Sequence, residues 1–374
     1  MQSNIIFDII YYKNKGGDMR KIISFLIVVI IIAGLAFYFT YGREYILSLD
    51  DNKIYEIKNQ KTIDMKTLDE CKFYNKGIVT YNNQKISHLD YENNTVWENE
   101  NQIFVDRIFI ADDYIYMCLD NSIEIINKNN QSYVVTEIAG KIINVSRENN
   151  RTYIITEQKD GQNSLYMLNE NNEVIVENKK FNDMITGVSI SDKSEGYCTT
   201  TLKFTNRKPL NSLMFNLMDD VELWNNKIEN EIIVETKIIN NNVLVLGTEN
   251  VYFYNPSGKL MWKNSNYNNI KDFTIDLKND ELFILYEKDE KLELMCYNFD
   301  GKVKNIYKVL NNVKRIRIYG NKIFAYSENM IYLLHDNNVD KLFEVSNEQI
   351  MDFYVENSNI YVLLKGKLIK GQIS

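Results

Sequence analysis

Few side chains in this sequence are of the kinds that do chemistry, and their spacing joins none of them into a catalytic set. The four cysteines, Cys71, Cys118, Cys198 and Cys296, stand far apart and never as C-x-x-C, the spacing that signals zinc or redox work. In an exported domain some could form disulfides if the fold brought them close. Each instead lies in or beside an apolar strand-like run, so they read as small buried hydrophobes. The two histidines, His88 and His335, are too few for a His-rich metal site or a His-based relay. Acidic pairs at Asp50–Asp51, Asp112–Asp113 and Asp219–Asp220 would suit a glycosidase only if two carboxylates met across ~5–10 Å. They fall in inter-strand turns, where Asp is common, and read as solvated turn residues. Arg207 and Lys208, just before Pro209, form a small basic spot on an acidic chain. It is either a contact for an anionic partner such as a wall polymer or a solvated loop. No G-x-S-x-G, P-loop, H-E-x-x-H or calcium-loop spacing appears. No residue is therefore assigned a catalytic, cofactor-binding or metal role, and no cofactor is expected.

The elements that would position any site are bounded first by composition. The chain has 374 residues, 45% hydrophobic and 25% charged, enough to bury a large core. With only 2 prolines and 15 glycines there is no Pro-rich or Gly/Ser tether, and no domain boundary after the first fifty residues. The net charge of −8 repels phosphate backbones, so nucleic acid is not an expected partner.

Residues 22–41 read IISFLIVVIIIAGLAFYFTY, without a charge. At ~1.5 Å per residue such a helix spans a bilayer core of ~30 Å. Lys13, Lys15, Arg20 and Lys21 precede it, whereas Arg43, Glu44, Asp50 and Asp51 follow. Positive charge on the near side predicts a cytoplasmic N-terminus (1–21), a transmembrane signal anchor (22–41) and an extracytoplasmic remainder (42–374). A cleaved signal peptide would have a shorter apolar core ending at an A-x-A-like site; here Ala33, Gly34 and Ala36 are followed by more apolar sequence. Met19 is an alternative start and leaves this topology unchanged.

Beyond the anchor, short apolar runs alternate with Asn/Asp/Gly turns and no long helical period appears, the mark of an all-β chain. One unit recurs about every forty residues. Its turn reads HLDYENNTVW (88–97), INKNNQSYVV (126–135), LNENNEVIV (168–176), FNLMDDVELW (215–224), YNPSGKLMW (254–262), YNFDGKVKNIY (297–307) and LHDNNVDKLF (334–343). Asn and Asp bond their own backbone and tolerate positive φ, which Gly adopts freely. Three copies end in Trp97, Trp224 and Trp262, the only tryptophans, and recurrence at one repeat position makes them packing residues between units. A preceding strand recurs eight times, from GIVTY (77–81) to IYVLL (360–364), and a further strand precedes most copies, as in RIRIY (315–319). Runs apolar throughout fit sheets covered on both faces.

These features predict a β-propeller of about eight four-stranded blades, with seven as the alternative if one irregular unit is miscounted. The last copy lacks its outermost strand, while EYILSL (44–49) and KIYEI (53–57) have no unit of their own. Ring closure is therefore expected, with the N-terminal segment completing the last blade and removing the exposed edges of an open array. The weakest unit, 184–231, carries an insertion at TLKFTNRKPLNS.

VYFYNPSGKLMWKN (251–264) and HLDYENNTVWEN (88–99) resemble the repeat of quinoprotein-like (PQQ-like) propellers. Anchor plus propeller also resembles an uncharacterised family of membrane-anchored propeller proteins from AT-rich Gram-positive bacteria. The first resemblance implies blade geometry; the enzymes of that class use an adjacent cysteine pair, a calcium and aromatic stacking around the quinone, and this chain has no Cys-Cys pair. Non-enzymatic members, such as outer-membrane assembly lipoprotein propellers, use the same repeat for docking. The expected function is a non-catalytic, membrane-tethered scaffold for a protein or envelope polymer. The alternatives are an extracytoplasmic glycosidase- or quinoprotein-like enzyme and a ligand sensor acting through a membrane partner.

Overall fold

The computed structural model describes residues 55–374 except 66–69, 83–84, 101–104, 120, 194, 266, 268, 310–311 and 336–337. The anchor expected over 22–41 and the segment 44–49 lie outside the described residues. Among the described residues no helix is long and apolar enough to cross a membrane.

The described chain forms eight antiparallel four-stranded sheets. Blades 1 to 7 span 70–100, 107–135, 141–181, 184–229, 233–264, 270–308 and 315–344, each with its strands in sequence order. The first strands of neighbouring blades pack on one another, as Met184–Ile190 does on Ile233–Ile239 and Glu70–Tyr74 on Ile350–Glu356. They are therefore the inner strands around a central channel. Blade 8 takes its first three strands from 350–373 and its outer strand, Ile57–Asp64, from the N-terminal side. That strand pairs antiparallel with Lys367–Ile373, from Ile57 opposite Ile373 to Asp64 opposite Lys367. Eight blades and closure by the N-terminal segment both stand as expected from the repeat.

Two details differ from the sequence expectation. The closing strand shares only Ile57 with the apolar segment 53–57. Its sequence, IKNQKTID, is largely exposed, because an outer strand is covered on neither its free edge nor its outward positions, so hydrophobicity does not mark it. The 184–231 unit is also regular rather than irregular. Its apparent insertion lengthens the hairpin between Gly196–Thr205 and Lys208–Leu217, ten residues each, which turns at Asn206 and Arg207, both at positive φ.

Hydrophobic burial lies between blades rather than within them. Eight clusters of buried side chains each draw on two neighbouring blades. The closing seam is one of these, with Ile63, Met65, Leu363 and Leu368 of blade 8 against Ile78 of blade 1. Polar stitches add to it: Lys61 and Lys370 bond Glu92 of blade 1 at 2.6 and 2.9 Å. Exposed pairs of this kind are worth at most ~1 kcal/mol, so burial carries the seam.

The recurring turn between third and outer strands behaves as its residues predict. Asp90, Asn127, Asn169 and Asn255 each accept two backbone N–H bonds from the residues two and four ahead. Three residues after each of them, and after the equivalent Leu217 and Asn298, stands a left-handed residue: Asn93, Asn130, Asn172, Asp220, Gly258 or Gly301. The tryptophan position of one blade latches onto this turn in the next. Trp224 Nε1 donates to Pro256 O at 3.0 Å, and Trp262 Nε1 to Phe299 O at 2.9 Å. Two residues on, Asn226 and Asn264 donate to Gly258 O and Gly301 O. Trp97 occupies the same place against His88, but its indole N–H meets no acceptor among the described residues.

A Cβ on Gly258 would lie 2.7 Å from Trp224, whereas one on Gly161, at a similar φ of 83°, would meet nothing. Gly161→Ala is expected to cost about 1–2 kcal/mol from backbone conformation alone. Gly258→Ala should cost about 1–3 kcal/mol more by displacing the indole. Urea unfolding of both variants checks this; equal losses would show that the latch contributes nothing.

Candidate functional site

The residues singled out in the sequence land mostly in structural roles. Cys118, Cys198 and Cys296 are buried in three different inter-blade clusters, and Cys71 packs beside the closing seam. All four are free thiols. Burial pushes Cys71 up to about 11 and Cys118 and Cys296 up to about 12, with Cys198 higher still; none is poised as a thiolate nucleophile. His88 is buried between Tyr74 and Trp97, and burial lowers its pKa, favouring the neutral ring. His335 lies 2.9 Å from Asp340, whose carboxylate also accepts the backbone N–H of Tyr55 where the chain approaches the ring. Asp219 and Asp220 sit on the outer turn of blade 4, Asp220 with Lys179 and Tyr197. Asp50 and Asp51 lie outside the described residues.

The space that could hold a ligand is the channel, and its two mouths differ in charge. Toward the start of the inner strands, beside the hairpins between second and third strands, a cavity of about 730 Å³ opens among blades 7, 8, 1 and 2. Lys72, Lys314, Arg315 and Arg317 line it, against the two carboxylates Glu328 and Asp352. Lys314 pairs with Glu328 and Arg317 with Asp352. Arg317 is further fixed by Phe353 O at 3.0 Å and Tyr319 Oη at 3.3 Å, with its guanidinium 5.3 Å from the Tyr326 ring. At the other mouth, by the turns that end the inner strands, a cavity of about 580 Å³ is lined by Asp112, Asp113 and Glu356 against Lys76 and Lys128. The pair Asp112–Asp113 lies on the inter-strand turn expected for it, exposed at Asp112, and that turn sits at a channel mouth with Asp113 paired to Lys128 at 2.9 Å.

Sequence reasoning missed the first of these groups. RIRIY reads in the sequence only as a further strand ahead of one repeat copy, yet alternate residues of a strand share a side, so Arg315 and Arg317 reach the same cavity. That spacing was the available signal. Lys72 carries none, because only ring closure brings blade 1 beside blade 8.

Several carboxyls along the inner strands and their turns are raised from their ordinary range, chiefly by desolvation. For Glu235 the nearby Glu148 reinforces this and Lys237 opposes it. For Asp112, Arg147 and Lys237 oppose it. For Asp272, the backbone N–H of Ile316 at 2.7 Å opposes it, as do Arg315 and Arg317. A carboxyl whose folded value is raised contributes stability below its unfolded pKa and loses it as pH rises through the folded value. Glu235→Gln should therefore melt higher than the parent protein at pH 7–8 and match it near pH 4, about the ordinary glutamate pKa. Melting temperatures across that range check this; a gap independent of pH would overturn it.

Among solved structures, the computationally designed Ika8 protein superposes with a TM-score of 0.60 at 9% identity, covering 83% of this chain and 99% of that one. BamB from Moraxella catarrhalis superposes with a TM-score of 0.53 at 10% identity, covering 84% of this chain and 99% of its own. Identities this low establish the shared propeller fold and nothing about activity. No curated protein matches the sequence. The sequence profile of DUF5711, a family of unknown function, matches residues 49–370, nearly the whole ring. The chain belongs to that family.

Proposed function

We propose that this protein is a non-catalytic propeller, tethered to the membrane by residues 22–41 with its ring outside, that docks a protein or envelope polymer. The observation that carries this reading is a row of exposed apolar side chains near the start of the outer strands in six consecutive blades. Val96, Val134, Ile175, Leu223, Met261 and Val303 form it, Met261 being 57% exposed. In four blades the residue is a β-bulge, Val96, Ile175, Leu223 or Met261. A bulge turns an extra side chain outward and blunts the sheet edge against strand addition. Apolar surface repeated this way, rimmed by polar turns, is characteristic of a contact surface.

Ile57 pairs with Ile373 at the end of a third strand, so the chain joins the ring on the face that carries the outer turns. At ~3.4 Å per extended residue, residues 42–56 hold the ring within about 50 Å of an anchor ending at 41. One observation favours an enzyme instead: Asp112, Asp113 and Glu356 share the second mouth with Tyr74, Tyr91 and Tyr354, a carboxylate grouping a glycosidase could use.

Removing residues 1–41 is expected to move the protein from the membrane to the soluble fraction; retention at the membrane would refute the anchor. Capture from crosslinked membranes with the full chain, against an anchor-only control, should recover a reproducible envelope partner that Leu223→Glu/Met261→Glu loses. A partner held equally by that variant would refute the apolar row as the contact. Glycoside turnover abolished by Asp112→Asn would establish the enzyme reading in its place.

A further inference from the structure

We infer that the cation-lined mouth of the channel is a docking pocket for an acidic, partly apolar peptide segment of a protein partner. The inference rests on the reading of the ring as a docking module but uses a different surface from the apolar row. Of the four cations at this mouth, Lys314 and Arg317 are taken up by Glu328 and Asp352. Lys72 and Arg315, on blades 1 and 7 either side of blade 8, line the cavity as well, Arg315 bonded to Tyr326 and near enough to Asp272 to oppose the rise in its pKa. Both are exposed to the cavity. Four cations against two carboxylates leave an excess of positive charge at this mouth, on a chain of net charge −8. A cleft with low-dielectric walls focuses such a field outward and concentrates anions at its opening.

The chemistry of the remaining wall selects among anions. Phe73, Ile110 and the 46% exposed Met351 lie in the same cavity. A phosphate polymer would use the cations and leave these side chains wet, whereas Glu or Asp alternating with Leu or Phe would satisfy both. A volume of about 730 Å³ holds a few such side chains, within the ordinary range of ligand pockets. The same pairing recurs on this face at the long hairpin of blade 4, where the 63% exposed Phe204 stands near Arg207 and Lys208. Ser327 and Glu328, from the corresponding hairpin of blade 7, line the cavity, so both features share the face opposite the one where the chain joins the ring.

Fluorescence anisotropy on the full chain in detergent micelles tests the pocket. The probes are three labelled ligands: a dodecapeptide alternating Glu with Leu and Phe, one alternating Glu with Ser, and inorganic polyphosphate. The first is expected to bind most tightly, to weaken as salt screens the charges, and to lose tenfold or more in affinity to Lys72→Ser/Arg315→Ser. The row variant Leu223→Glu/Met261→Glu should bind this peptide unchanged even where it loses its membrane partner, which separates failure of the pocket from failure of the row. Absence of peptide binding, or binding that survives the double substitution at an unchanged melting temperature, overturns the proposal. Polyphosphate binding as tight as the first peptide's overturns it in favour of an anionic polymer.

Discussion

Burial between blades is the constraint on which everything else in this protein depends. A four-stranded blade has two apolar faces and no partner of its own, so each face must be covered by a neighbour. The eight clusters do this, every one shared by two blades. With ~1.5–3 kcal/mol for each fully buried large side chain, one uncovered seam would forfeit a sizeable part of a domain's net stability. An open stack is therefore not a viable alternative, and the chain spends its N-terminal strand on closing blade 8. The turns serve the same end. In blades 1 to 6 a left-handed Asn, Asp or Gly after the third strand lets the outer strand fold back, and the indole latches of Trp224 and Trp262 tie blade 4 to blade 5 and blade 5 to blade 6.

What was legible in the sequence follows from this division of labour. Second and third strands are covered on both sides, so their uninterrupted apolar runs marked them and gave the correct number of blades. Turn chemistry was local, and Asn169 or Gly258 could be placed without knowing the fold. The closing strand escaped because IKNQKTID is an outer strand with few buried positions. Blade 4 looked irregular because a hairpin lengthened in step on both strands resembles an insertion when only one strand is read. The candidate site was the least legible part. Lys72 and Arg315 line one cavity only because the ring closes, and no local pattern encodes closure geometry.

The interior polarity of the ring bears on function more than its fold does. Polar contacts between neighbouring blades pin them together, one of them between two inner strands and two from a third strand to the next blade's inner strand. Asp272 accepts the N–H of Ile316, Asn163 that of Ile185, and Asn211 lies 3.4 Å from that of Ile233. Arg317 belongs to this framework, held by Asp352 and Phe353 O. It shapes the first mouth rather than offering itself to a ligand. Lys72 and Arg315 supply none of these backbone stitches, although Arg315 bonds Tyr326 and lies near Asp272. Structural and available charge are thus carried by different residues at one mouth, which makes binding there separable from folding.

The two faces of the ring also differ in what they can reach. The chain joins the ring at Ile57 on the face bearing the outer turns, and the apolar row sits at that face's perimeter. The turn tips beyond that row are polar, among them Glu92, Asn171 and Ser257. Pressing this face into lipid would bury those groups without partners, at a cost per group that exceeds the gain from one exposed valine. The row is better matched to a protein that contacts the rim from the side, where the polar tips stay in water. Such a partner would leave the cationic mouth on the opposite face uncovered, so the two surfaces can be occupied at once.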